Sequence, residues 1–355
     1  MAQDDDSFLV FVHLLINRFA NLNLYYLAII VILPYNNPRK INKMIIILHS
    51  ISFKNLRFFL IPLLIIACNN SPTSPDEEIH EEIKLVPQGI GKFTFDQYKP
   101  LADTPITVHT YLPDSTIKNI PVVFVMHGAN RDANNYCIDW VEPAREYNFL
   151  VVCPEINENQ FPGSGGYNLG GMYDGNILID STRWTFALIE PIFEYLKQEG
   201  AITVDRYGIY GHSAGSQFVH RFALFTQPHN ANVFIAANAG WYTMTDFSEV
   251  FPYGFKNSPM TEDKMKPKFG LDLVILLGEN DTDPNASSLR KTEEAMRQGK
   301  HRFERGHSFY TKAKSMADSL ETEFKWTKVT VPEVGHSNFG MAPAAAKLLY
   351  DILKN

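Results

Sequence analysis

The chain has three cysteines in 355 residues, too few for a disulfide-built scaffold. It has no basic excess. With 32 Lys and Arg against 39 Asp and Glu, its formal charge is −7, which argues against a nucleic-acid partner. The apolar runs at 24–33 and 58–67 are each about ten residues long, half of what a membrane-spanning helix needs. Metal-ligand spacing is also missing. His80-Glu81-Glu82-Ile83-Lys84 fails the H-E-x-x-H pattern, and no Cys/His cluster exists. No internal repeat or low-complexity block interrupts the chain.

What is present concentrates in one pentapeptide, Gly211-His212-Ser213-Ala214-Gly215, which follows the apolar Tyr207-Gly208-Ile209-Tyr210. A serine with a glycine two residues to either side, at a strand-to-helix junction, matches a nucleophile elbow. Such a turn strains the serine backbone and crowds the positions two before and two after it, and glycine relieves the crowding by lacking a Cβ. Phe218, Val219, Phe222 and Phe225 follow with the spacing of a helix packed on a sheet.

A serine hydroxyl becomes a nucleophile only with a base, and the base needs an orienting acid. The run 273–277 reads as a buried parallel strand and empties into Gly278-Glu279-Asn280-Asp281-Thr282-Asp283-Pro284. Asp281 is the leading acid, with Asp283 and Glu279 left open by spacing alone. Asp283, just before a proline, also suits a helix cap. Of the five histidines after Ser213, His336 alone follows a terminal strand pattern and precedes a final helix, so it is the expected base. His220 lies two helical turns behind the serine, roughly 10 Å along the axis, and reads as a surface or core histidine. His301 and His307 fall in a segment that reads as a solvated basic stretch. Oxyanion donors are expected from the backbone N–H groups of Ala214, after the nucleophile, and Ala129, in the loop that His127-Gly128 opens. His127 itself is expected to structure that loop.

Strand, His-Gly loop, elbow, carboxylate turn and late histidine come in the order of the α/β-hydrolase superfamily, which the chain resembles from about residue 90 to its end. Within it, Met126-His127-Gly128, the pentapeptide and Gly278-Glu279-Asn280-Asp281 are most similar to the secreted polyhydroxybutyrate depolymerase and feruloyl or acetyl xylan esterase group. The resemblance implies a serine hydrolase that cleaves carboxylic esters through an acyl-enzyme, with Ser213, Asp281 and His336 as its triad and no cofactor or metal. A peptidase or amidase shares that triad, and an inactive surface-binding lipoprotein keeps the fold alone.

Strand patterns at 106–111, 121–126, 149–153, 206–210, 232–236, 271–277 and 324–331 alternate with helical patterns at 138–147, 181–197, 213–225, 287–296, 308–320 and 341–353. This alternation predicts an α/β fold, a mainly parallel central sheet with helices on both faces. Two insertions are expected at the mouth of the site. The first, 157–175, is rich in Gly and Tyr, lacks the Gly-Lys-Ser/Thr of a phosphate loop, and offers Tyr167 as a substrate contact. The second begins at Gly240-Trp241-Tyr242, where Trp241 either stacks on a sugar or aromatic ester or covers core.

Lys54-Asn55-Leu56-Arg57, the apolar run 58–67 and Leu64-Ile65-Ile66-Ala67-Cys68 together resemble a bacterial lipoprotein signal. That reading gives 44–67 as signal peptide from Met44, Cys68 as the lipidated mature N-terminus, 68–89 as a polar tether and 90–355 as the hydrolase domain. Residues 1–43 do not fit such a signal and read as upstream translation or an unassigned segment. The expected location is the bacterial cell envelope, with a lipid anchor in the membrane; secretion is the alternative. The other expected partner is an ester, small or polymer-attached. Cys137 and Cys153 remain as a pair that an oxidising compartment could bridge.

Overall fold

The computed structural model describes residues 85–114, 119–228 and 230–354, and the backbone of three strands nearer the N-terminus. The chain divides into two units, Met1–Ile79 and His80–Asn355. In the first, β1 (Val12–Arg18), β2 (Tyr25–Ile32) and β3 (Met44–Ile51) pair antiparallel in that order. Cys68, its lipobox and residues 68–84 of the expected tether lie outside the described residues, whereas the tether's last part joins the domain: Val86 is buried in the core and Gly89 begins the first strand of the second unit. Among the described residues no helix is long and apolar enough to cross a membrane.

The second unit contains β4 (Gly89–Phe95), β5 (Ile106–Leu112), β6 (Val122–Met126), β7 (Leu150–Pro154), the hairpin β8 (Tyr173–Asp174) and β9 (Ile177–Leu178), β10 (Tyr207–His212), β11 (Ala231–Ala237), β12 (Leu273–Gly278) and β13 (Thr327–Val331). Apart from the hairpin, these strands form one sheet in the order β4-β5-β7-β6-β10-β11-β12-β13. Every neighbouring pair is parallel except the two that involve β5. The helices are α1 (Ala133–Asp139), α2 (Val141–Tyr147), α3 (Gly163–Gly166), α4 (Ile189–Gln198), α5 (Ala214–Phe225), α6 (Glu262–Met265), α7 (Glu293–Gln298), α8 (Arg302–Ser319) and α9 (Asn338–Leu353).

The central strands are apolar along their whole length because both faces of the sheet are covered. Val122, Phe124 and Met126 of β6 face a core shared with α4, α5 and α8, while Val123 and Val125 face a second core shared with α1, α2 and α9. Gly208 in β10 lets α9 settle on the sheet, since a Cβ there would come within 2.4 Å of Leu349 Cδ2. From β6 the chain crosses to β7 on one side, whereas from β10 it proceeds through β11 on the other. The crevice at the carboxyl ends of β6 and β10 is therefore a switch point, the place where open α/β sheets bind ligands.

The predicted alternation holds, with local departures. The edge strand β4 was not in the pattern: Gly-Ile-Gly-Lys-Phe-Thr-Phe carries two glycines and a lysine on a half-exposed edge. The predicted helix 138–147 is two helices that meet at the buried Trp140. The helix expected at 181–197 opens with two 3-10 turns and becomes α-helical only at Ile189. The segment 298–307, expected as a solvated basic stretch, instead starts α8 and buries Arg302 and Arg305. Cys137 and Cys153 are both buried free thiols, and burial, then the nearby Cys137, raises the Cys153 thiol well above its ordinary range.

Candidate active site

Ser213 sits between the last residue of β10 and the first of α5 with φ 60° and ψ −114°, a strained conformation for a residue with a side chain. Both glycines of the pentapeptide are needed for contacts rather than for their own dihedrals. A Cβ on Gly211 would lie 2.2 Å from the Gly215 carbonyl oxygen, and one on Gly215 would lie 2.0 Å from that of Met126 and 2.8 Å from that of His127. Gly215 therefore lets the elbow press against the loop after β6. The register pairs Gly211 with Met126, so the two loops leave the sheet side by side.

The Ser213 hydroxyl donates to His336 Nε2 at 3.0 Å, and His336 Nδ1–H donates to Asp281 Oδ2 at 2.7 Å. These roles follow from the partners of each ring nitrogen. Asp281 is 3% exposed, whereas Asp283 and Glu279 are on the surface. Asp283 accepts from the Asn285 N–H and Glu279 from the Thr330 hydroxyl, so neither competes for the imidazole. The helix cap suggested for Asp283 belongs instead to Thr292, at the start of α7. Asn238, in a left-handed conformation after β11, ties the acid and base loops together: its side chain accepts from the Gly278 N–H and donates to the Gly335 carbonyl.

Ala214 is the first residue of α5, where an N–H has no partner within the helix. Ala129 is exposed in the adjoining loop. His127 organises that loop as expected. Its Nδ1–H donates to the Gly128 carbonyl at 3.0 Å, and its Nε2 accepts from the Ile156 N–H at 3.1 Å. Burial holds its imidazole down to about 4, so it stays neutral near pH 7. His212 is buried within the elbow, with its ring 4.6 Å from that of His336 and its Nδ1 3.1 Å from the Tyr136 hydroxyl. Burial, then His336 and Arg302, hold His212 well below its usual range. His220 is a core residue bonded to the Ser216 carbonyl and the Thr243 N–H.

Two expected substrate contacts are corrected. Tyr167 is 0% exposed, and its hydroxyl donates to the His127 carbonyl at 2.6 Å, so it braces the loop after β6 rather than facing a ligand. Trp241 is 3% exposed, packed on Tyr253 and held between the guanidinium groups of Arg221 at 4.3 Å and Arg290 at 5.0 Å. Its core role prevails. The insertions still enclose space: Gly165, Leu169, Tyr173, Val250, Phe251 and Asn257 line a cavity of about 630 Å³. Next to Leu169, Asn168 donates to Gln217 in the first turn of α5. The buried Arg302 beside Asp281 escaped the sequence reading, and no local signal marked it.

A sheet of this order, with Ser213, His336 and Asp281 bonded in series at its crevice, defines a serine hydrolase, and the chain belongs to the α/β-hydrolase family. It is similar to poly(aspartic acid) hydrolase-1 from Sphingomonas sp. KT-1, with 39% identity and a TM-score of 0.72 over 75% of this chain and 100% of that one. It is also similar to LpqC, a poly(3-hydroxybutyrate) depolymerase from Bordetella parapertussis, with 29% identity and a TM-score of 0.72 over 76% of this chain and 91% of that one. No protein-family model matches the chain, and no curated sequence does. The likeness to a poly(3-hydroxybutyrate) depolymerase agrees with the resemblance drawn from the motifs.

Proposed function

We propose that this chain hydrolyses carboxylic esters through an acyl-enzyme. Ser213 Oγ attacks the ester carbonyl while His336 Nε2 takes its proton, and the Ala129 and Ala214 N–H groups receive the developing oxyanion. The imidazolium then gives its proton to the leaving alcohol. Asp281 holds the ring with Nδ1–H inward throughout, and a water, activated by the same imidazole, frees the acid. The observation that carries this reading is the continuous relay from Ser213 through His336 to Asp281 on a strained elbow. A fluorophosphonate probe should label the wild type and not Ser213→Ala, and Ser213→Ala or His336→Ala should lower ester turnover by several orders of magnitude with the fold intact. A wild type that takes no label would leave a surface-binding protein on a hydrolase fold.

An amide substrate is the second reading. The more similar relative is named for poly(aspartic acid), a polymer joined by amide bonds. Short-chain aryl esters, acetylated xylan, feruloyl esters, hydroxybutyrate oligomers and poly(aspartic acid), assayed side by side, separate the two. Turnover of the last alone would overturn ester preference.

The site of action we propose is the bacterial cell envelope, with Cys68 lipidated after removal of 44–67. The lipobox Leu64-Ile65-Ile66-Ala67-Cys68 supports this. Mass spectrometry of the native protein should find a lipid-modified N-terminal Cys68. Peptides from 1–43, or an unmodified Cys68, would overturn it.

A further inference from the structure

Asp281 has a second charged partner. Its Oδ2 serves His336, while Oδ1 lies 3.4 Å from Arg302 Nη1, and Arg302 is itself 2% exposed. The guanidinium also donates from Nη2 to the Ser288 hydroxyl at 2.8 Å, and the backbone is tied nearby, where the N–H of the next residue, Phe303, donates to the Asp281 carbonyl at 3.2 Å. The start of α8 thus closes over the acid loop.

Packing alone does not account for an arginine here. Burying a guanidinium costs several kcal/mol, and apolar residues of similar size commonly replace buried ion pairs without loss of stability. Arg302 Nε has no hydrogen-bond partner, so the side chain is not even fully satisfied as a donor. Its neighbour Arg305 shows what a purely structural arginine looks like in this fold. Arg305 reaches three backbone carbonyls, of Gly299, Gly240 and Arg290, and no carboxylate. Arg302 instead faces the one carboxylate on which the relay depends. Asp281 is 3% exposed, and among the described residues Arg302 is the one Lys or Arg side chain paired with it. Arg302 supplies a counter-charge and occupies Oδ1, leaving Oδ2 as the acceptor for Nδ1–H.

We propose that Arg302 is a positioning residue of this triad, acting through Asp281 to hold Oδ2 on His336 Nδ1. It touches neither Ser213 nor the substrate. The inference rests on the triad reading above, but its failure is separable. If Ser213→Ala and His336→Ala abolish turnover while Arg302 variants do nothing, only the inference falls.

The test is a double-mutant cycle of Arg302→Met with Asp281→Asn in the full chain, with folded protein verified by near-UV circular dichroism. With p-nitrophenyl acetate, Arg302→Met should lower kcat about 100-fold, the scale of a misplacement of about 1 Å at a reacting group, with KM changed less than about 3-fold. Arg302→Lys, which keeps the charge, should recover most of the loss. On the Asp281→Asn background the same substitution should change kcat less than about 3-fold, because the group it acts through is already gone. The downfield proton resonance of His336 Nδ1–H should persist in Arg302→Lys and shift or broaden in Arg302→Met. Should Arg302→Met fail to fold, Arg302→Gln keeps a donor without the charge and should give the same pattern. Wild-type kcat in a folded Arg302→Met or Arg302→Gln variant, or a loss that repeats in full on the Asp281→Asn background, would overturn the proposal.

Discussion

Acid should unfold this protein through its buried histidines, and His127 sets the scale. It is fully buried, and burial holds it down to about 4 from 6.5. An unfolded chain carries the same imidazole near 6.5, so between those values the unfolded state binds the proton first. The stability that depends on a neutral His127 is therefore complete above pH 6.5 and lost as the pH falls to about 4. At about 1.4 kcal/mol per pH unit, that window is worth about 3 kcal/mol, a large share of the ~5–15 kcal/mol that holds a domain folded. His212 and His220, pushed down by the same burial, act in the same direction. Urea unfolding at pH 7.5 and pH 4.0, on wild type and His127→Gln, isolates the single residue. The variant should be less stable at pH 7.5, having lost the bonds to Gly128 and Ile156, yet fall by about 3 kcal/mol less on acidification. An equal fall in both proteins would refute the reasoning.

Gly215→Ala places a Cβ 2.0 Å from the Met126 carbonyl oxygen, forcing the elbow away from the loop that carries Ala129; kcat should drop by about 100-fold or more with a lowered Tm, and a variant that melts and turns over like wild type would contradict the packing argument. Asp281→Asn should cost turnover heavily, while Asp283→Asn, on the surface and bonded only to the Asn285 N–H, should cost less than about 3-fold; steady-state kinetics showing the reverse order would move the acid. Trp241→Ala should remove about 3–5 kcal/mol of stability and lower turnover of bulky and small esters in parallel, and a changed ratio between them in a stably folded variant would return Trp241 to the substrate pocket.

The parts of this site legible in the sequence are those whose chemistry or sterics is local. The pentapeptide announces a strained turn because Gly211 relieves crowding against Gly215 within five residues, and His336 is isolated by the strand and helix on either side of it. The acid is a different case. Asp281, Asp283 and Glu279 stand within one turn, and only burial distinguishes them, a property of what α8 places on top. Tyr167 and Trp241 sit beside glycines in polar-looking segments, where an aromatic ring looks exposed; the partners that bury them, His127 for one and Arg221 and Arg290 for the other, are distant in sequence. Arg302 was least legible. Among Lys300, His301 and Arg305 it reads as one more solvated charge, and its partner stands 21 residues earlier. The strand β4 was hidden for the opposite reason, because an edge that buries little needs little apolar pattern.

Arg131 joins two parts of the molecule that a protein engineer would want to treat separately. From a left-handed backbone position in the loop after β6, its guanidinium lies over the Tyr167 ring, pairs with Glu158, and donates to the carbonyls of Ile156, Phe161 and Gly163 along the Gly-rich insertion. The Gly-rich insertion is thereby clamped to the loop that carries Ala129. Grafting a foreign insertion between 157 and 171 would discard Glu158, Tyr167 and the Phe161 and Gly163 carbonyls while keeping that of Ile156, so a chimera chosen for new selectivity inherits a slackened loop after β6. A graft that presents carbonyls to Arg131 and a ring beneath it keeps the two traits independent, which makes this clamp the first constraint to carry into any library built on the scaffold.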